Sequence, residues 1–277
     1  MGKVTVGQEN GTDIQLYFED HGSGQPVVLI HGFPLDGQAW DSQHLALLEA
    51  GYRVVTYDRR GFGRSDHPSE GFDYDTLSDD LAALLDHLDL REAVLVGFSM
   101  GGGEVVRYLS RHGSERVAKA VLIGSVTPYL LQADDNPEGV PGDVFEGIKD
   151  AIRADRYGFF EQFFANFLNT DQLLGNRVSE GAVLGHKVKA FRASALATLA
   201  VVDIWGTDFR ADLPKVEVPL FLIHGAEDRI VPIAASSARI PGLVEGANLV
   251  VIDGGPHNIC ATHADEVNDA LLGFLRG

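Results

Sequence analysis

The chain has 277 residues, 45% of them hydrophobic, enough for one large domain or a core domain with a sizeable insertion. Its 40 acidic residues outnumber 22 basic ones, for a formal net charge of −18, and no basic stripe offers a surface for nucleic acid or an anionic membrane. The single cysteine, Cys260, excludes an internal disulfide and reads as a small buried hydrophobe.

The first ten residues lack the apolar core of a signal peptide, and no apolar run approaches the ~18 residues that span a bilayer. The cytoplasm is the expected location. Val4–Val6 and Ile14–Phe18 predict a hairpin across Asn10-Gly11. A repeating unit follows. Val27–Ile30 is an apolar strand, leading through His31-Gly32-Phe33-Pro34 to a helix containing Leu45–Leu48. Arg53–Tyr57 is the next strand, and Asp58–Ser65 a loop expected to buttress the sheet edge, since it lacks the lysine and spacing of a P-loop. Leu77, Leu81, Leu84, Leu85 and Leu88 then mark one face of a helix. Strands at Ala93–Val96 and Ala120–Ile123 complete the first half. Strands alternating with helices in this rhythm make a parallel sheet covered on both faces.

The rhythm breaks near residue 126 and resumes near 210. Residues 127–209 are read as a helical cap inserted into an α/β core formed by 1–126 and 210–277, and lying over the C-terminal edge of the sheet. The clustered Phe159, Phe160, Phe163, Phe164 and Phe167 are assigned to the core of the insertion, with some rings free to wall a pocket. The apolar stretch 193–202 has no basic face and is assigned to the cap rather than to a membrane surface. Strands at Leu220–Ile223 and Leu249–Ile252, a helix around Ala234–Arg239 and a last helix ending near Arg276 close the chain.

Gly97-Phe98-Ser99-Met100-Gly101 stands between the strand ending at Val96 and a helix running to Leu109. A serine on so sharp a turn presents its hydroxyl outward, above backbone N–H groups and a helix N-terminus. Such a serine needs a base, and the base needs an orienting acid. In open α/β sheets these groups lie just beyond the carboxyl ends of strands. Of ten histidines, His44, His87 and His112 fall on helix faces, His263 begins the last helix, and His224 reads as a packing residue. His257 follows Leu249–Ile252 through Asp253-Gly254-Gly255-Pro256 and is the expected base. Asp228, directly after Leu220–Ile223 and before Arg229-Ile230-Val231-Pro232, is preferred over Glu227 as the acid. The order Ser99, Asp228, His257 is that of α/β-hydrolases rather than of chymotrypsin-like or subtilisin-like proteases. By position, the backbone N–H groups of Met100 and Phe33 form the expected oxyanion hole, and Pro34, Phe98 and Ile230 are placed in the substrate pocket. A serine nucleophile argues against dehalogenases and epoxide hydrolases of this fold, which use aspartate there. An intact triad argues against the different-class reading, a ligand-binding protein without catalysis.

The segment Gly97–Tyr108 resembles the nucleophile region of the cofactor-free bacterial haloperoxidases, the perhydrolase/arylesterase branch of the α/β-hydrolases. Further matches are His31–Pro34, Tyr57–Ser65, Ser114–Val117, Asp134–Pro141, Thr207–Arg210, Ile223–Gly225 and Gly254–His257, so the similarity runs over nearly the whole chain. The resemblance implies an α/β-hydrolase fold with a mostly parallel eight-stranded sheet and a helical cap. It implies aryl ester hydrolysis through a seryl acyl-enzyme, with perhydrolysis of carboxylic acids by hydrogen peroxide, and no metal or other cofactor. Lactones or γ-lactams are the alternative substrates, and trimers or hexamers the implied assemblies. Members with marked perhydrolase activity carry a proline where Pro34 stands, which fixes the backbone beside the oxyanion loop and can turn a carbonyl toward the site. One departure is Asn258, where the family commonly has glycine after the histidine.

Overall fold

A computed structural model describes residues 1–277. Eight strands, β1 (Gly2–Glu9), β2 (Thr12–His21), β3 (Pro26–Ile30), β4 (Arg53–Tyr57), β5 (Ala93–Phe98), β6 (Val117–Ile123), β7 (Leu220–Gly225) and β8 (Asn248–Ile252), form one sheet in the order β1-β2-β4-β3-β5-β6-β7-β8. The pairs β1–β2 and β2–β4 are antiparallel and the remaining neighbours parallel. The opening hairpin turns at Asn10 (φ 50°) and Gly11 (φ 76°), the two successive positive φ values that asparagine and glycine tolerate best.

Helices α1 (Asp41–Glu49), α2 (Tyr74–His87), α3 (Met100–His112), α8 (Ile259–Thr262) and α9 (Ala264–Arg276) belong to the sheet core, with α1 packing on α9 and α2 on α3. Helix α2 starts where the Asp73 side chain accepts a hydrogen bond from Thr76 N, and it buries Leu77, Leu81, Leu84 and Leu85 completely. All six residues of β5 are buried, as expected of a central strand sandwiched between helical layers. Around Ala234–Arg239 the expected helix is absent. Two short 3-10 turns, Ile233–Ala235 and Ser237–Gly242, stand there instead, divided by a non-helical Ser236 and containing Pro241.

Between β6 and β7 lie α4 (Gly142–Phe167), α5 (Thr170–Leu173), α6 (Glu180–Arg192) and α7 (Ala195–Ile204). Helix α4 is broken at Asp155, whose carboxylate accepts the amides of Tyr157 and Gly158 and so restarts the helix. Phe160, Phe164 and Phe167 are fully buried. Helix α7 docks on the Asp58–Ser65 loop, with Ser194 N donating to Gly61 O at 2.8 Å. No helix is long and apolar enough to cross a membrane.

The loop after β4 is a structural hub. Arg59, 1% exposed, donates to Glu104 Oε2 of α3 at 2.8 Å and to His31 O at 2.8 Å, and Tyr57 Oη also bonds Glu104. His31 Nε2 accepts from Arg59 N at 3.0 Å, leaving Nδ1–H to donate to Gly32 O at 3.0 Å. Burial, then the adjacent Arg59 charge, hold His31 well below the usual histidine range, so it is a neutral brace. One buried network thus joins the loop after β3 to the helix that follows Ser99.

Candidate active site

Ser99 sits between β5 and α3 with φ 56° and ψ −120°, a conformation that costs a non-glycine residue about 1–3 kcal/mol and needs tight surroundings to persist. Glycine supplies that tightness. A Cβ on Gly101 would collide with the carbonyl oxygen of Ile30, and one on Gly32 would stand 2.8 Å from Ser99 Cβ. The loop after β3 therefore lies directly against the serine.

Ser99 Oγ is 2.9 Å from His257 Nε2, and His257 Nδ1 is 2.7 Å from Asp228 Oδ2. These residues are separated by 158 and 29 positions, and the ends of β5, β7 and β8 bring them together. An ionised carboxylate only accepts, so Nδ1 carries the imidazole proton and Nε2 is free to accept from Ser99. Asp228 Oδ1 takes the amides of Ile230 and Val231, each at 2.8 Å. Burial acts to raise the Asp228 carboxyl, but His257 and His224 outweigh it and hold the group well below the usual carboxylate range.

His224, expected to be a packing residue, has a polar role. Its Nε2 is 3.0 Å from Val231 O and 3.1 Å from Asp228 Oδ2, and its Nδ1 is 2.8 Å from Ser237 Oγ. Because Val231 O can only accept, Nε2 must carry a proton, which is shared with Asp228. Asp228 thus has four donors. The available signal was a histidine at the end of an otherwise apolar strand, four residues before the acid.

The amides of Phe33 and Met100 find no acceptor among the turn, loop and side-chain hydrogen bonds, leaving two donors beside Ser99. Ser99, His257 and Phe33 open onto a cavity of about 350 Å³. Val126, Phe145, Phe159, Phe163, Trp205 and Ile230 supply much of its apolar wall, and Gln162, Asn166 and Arg229 its polar positions. Ile230 lines the cavity. Pro34 and Phe98 do not. Phe98 turns inward from Ser99, packing its ring on Trp40, Phe167 and His257, and Pro34 is buried within the loop after β3. The phenylalanine cluster divides, with Phe159 and Phe163 on the cavity wall and Phe160, Phe164 and Phe167 behind it. Cys260 is buried, and burial raises its thiol well above the usual range. Asn258, the departure after the base, is 1% exposed and points its amide at His186 of α6, 3.1 Å away.

Fold and site together define an α/β-hydrolase, and a family model described as alpha/beta hydrolase fold matches residues 25–264. A Synechocystis sp. protein provisionally named a non-heme chloroperoxidase is 56% identical over 276 residues, covering 100% of both chains. A bifunctional esterase/perhydrolase of Acinetobacter calcoaceticus is 38% identical over 279 residues, again with full coverage of both. The crystal structure of a bromoperoxidase from Bacillus anthracis superposes with a TM-score of 0.96 at 44% identity, covering 100% of this chain and 99% of that one. The chain belongs to the non-heme haloperoxidase branch of the α/β-hydrolase family, and is an enzyme of that fold.

Proposed function

We propose that this chain is a serine esterase acting on carboxylic, preferentially aryl, esters, and that hydrogen peroxide also intercepts its acyl-enzyme to give a peracid. The observation that carries this reading is the continuous path Asp228 Oδ2, His257 Nδ1, His257 Nε2, Ser99 Oγ, with both links at hydrogen-bond distance and its serine opening onto an apolar cavity. Ser99 Oγ attacks the ester carbonyl while His257 Nε2 takes its proton. Asp228 holds the imidazole in the required tautomer and stabilises its charged form. The amides of Phe33 and Met100 receive the oxyanion, each worth ~3 kcal/mol of barrier. His257 returns the proton to the departing alcohol or phenol, leaving Ser99 acylated.

Water, activated by the same histidine, then releases the carboxylic acid. Hydrogen peroxide attacking the same acyl carbon releases a peracid instead, with Ser99 regenerated and its proton delivered by His257. The peracid oxidises halide in solution, so the haloperoxidase names of the relatives and the esterase/perhydrolase name of one of them describe a single acyl-transfer site. Those names favour this reading over lactone or γ-lactam hydrolysis. Pro34 contributes through the backbone of Phe33, whose amide it follows.

Both activities are expected from the purified chain, and they compete. p-Nitrophenyl acetate is hydrolysed, peracetic acid forms from acetate and hydrogen peroxide, and hydrogen peroxide added to the ester reaction diverts the acetyl-enzyme from acetate to peracetic acid. Ester hydrolysis without any peracid would remove the perhydrolase half of the reading. Ester hydrolysis that yields no peracetic acid in the presence of hydrogen peroxide, while acetate does yield it, would contradict a single acyl-enzyme.

A further inference from the structure

The helices between β6 and β7 do more than wall the cavity. Their turn from Phe167 to Asp171, joining α4 to α5, makes three polar contacts with the sheet core, and all three land beside the triad. Phe167 O accepts from Asn258 N at 2.9 Å, the residue after His257. Asn169 Nδ2 donates to Glu227 O at 2.9 Å, the residue before Asp228. Asp171 pairs with Arg229, the residue after Asp228, at 2.8 Å. The Phe167 ring also stands edge to face against the His257 imidazole, with centroids 5.1 Å apart.

Asn169 is the unusual member. It is 0% exposed, adopts a left-handed conformation (φ 46°, ψ 52°), and leaves its Oδ1 without a partner. A left-handed turn by itself asks for glycine, and burial asks for an apolar side chain. An amide with one unpaired oxygen is a costly occupant unless its Nδ2 contact is needed. That contact reaches 58 residues along the chain to the turn that carries the acid. The exposed Asp171–Arg229 pair adds little by itself, as surface ion pairs do.

We propose that Asn169 is a positioning residue for the triad: through it, and through the carbonyl of Phe167 in the same turn, the inserted helices hold the Asp228 and His257 loops in register with each other. The proposal rests on the catalytic reading above. If the turn only closed the cavity, loosening it would alter binding and raise KM. Holding the acid against the base instead makes kcat the sensitive quantity, because a misplacement of about 1 Å at a reacting group costs up to 100-fold.

The test uses Asn169→Gly, which tolerates the left-handed backbone and removes only the amide. With p-nitrophenyl acetate the variant is expected to lose about tenfold in kcat while KM stays within about twofold. The downfield proton resonance of the His257–Asp228 hydrogen bond should broaden or vanish. A kcat within about twofold of the unmodified chain, or a loss confined to KM with the resonance intact, overturns the proposal. Should Asn169→Gly fail to fold, Asn169→Asp keeps the size of the side chain and tolerates the left-handed backbone, but sets an oxygen in place of the Nδ2 donor against the Glu227 carbonyl. It is expected to lower kcat about tenfold with KM within about twofold, and an unchanged kcat overturns the proposal. Turnover by the unmodified chain tests the catalytic reading, whereas only the ratio of variant to unmodified kcat tests Asn169.

Discussion

Asparagine in place of Asp228 is expected to lower kcat for p-nitrophenyl acetate by about 10⁴-fold, the size of effect produced when a triad histidine is held in the wrong tautomer. The surroundings of this carboxylate leave an amide no good orientation. Oδ1 accepts two backbone amides, from Ile230 and Val231, so the asparagine oxygen must take that place. Its NH₂ group is then forced into the position of Oδ2, facing His257 Nδ1 at 2.7 Å and the protonated Nε2 of His224 at 3.1 Å. His257 can meet a donor only by moving its own proton to Nε2, where it no longer accepts from Ser99. His224 meanwhile opposes one N–H with another. Rotating the amide by 180° repairs that contact at the cost of setting NH₂ against two backbone donors. Steady-state kinetics on the purified variant check this, and a loss under about 100-fold would mean that Asp228 is not the orienting acid.

The second large effect concerns stability. Arg59→Met is expected to destabilise the fold by roughly 3–5 kcal/mol, the cost of leaving a buried charge without its partner. Arg59 and Glu104 have side chains 1% and 0% exposed, and with Arg59 gone Glu104 keeps only the Tyr57 hydroxyl. The same arginine also holds the His31 carbonyl, so its loss loosens the loop that carries the Phe33 amide. For a chain of this size the loss corresponds to a fall in Tm of about 10 °C. Replacing both partners, as Arg59→Met with Glu104→Leu, is expected to recover much of it, because no unpaired charge remains. Thermal unfolding followed by circular dichroism distinguishes the cases. A single variant melting within about 2 °C of the unmodified chain would show that Glu104 is not left as a costly unpaired charge.

Much of this architecture is legible in the sequence because it is written in local patterns. Apolar runs of four or five residues alternating with helical periodicity define the sheet. The residues directly after β5, β7 and β8 are Ser99, the turn to Asp228 and the turn to His257. Each chemical group sits where its own strand ends, so chain order predicts spatial convergence. The braces are another matter. His224 and His31 look like ordinary strand-end histidines until their partners Asp228, Val231 and Arg59 are placed beside them. Asn169 lies in a polar turn with no local signature, and its meaning comes from a contact 58 residues away. Pro34 and Phe98 show the opposite error. Adjacency in sequence to Phe33 and Ser99 suggested a place on the cavity wall, yet side chains alternate along extended backbone, and Phe98 points into the core. The helix expected at Ala234–Arg239 is broken at Ser236, whose hydroxyl donates to the Pro232 carbonyl, a local alternative to helical bonding that apolar spacing does not show.

The central claim is that Ser99 becomes covalently acylated. Its most direct test is to treat the chain with diethyl p-nitrophenyl phosphate, which phosphorylates an activated serine without being turned over, and to locate the adduct by intact mass and peptide mapping. One diethylphosphoryl group per chain on Ser99, matched by loss of esterase and perhydrolase activity together, and no adduct in Ser99→Ala, is the predicted result. An adduct on another residue, or equal labelling of the alanine variant, would contradict it.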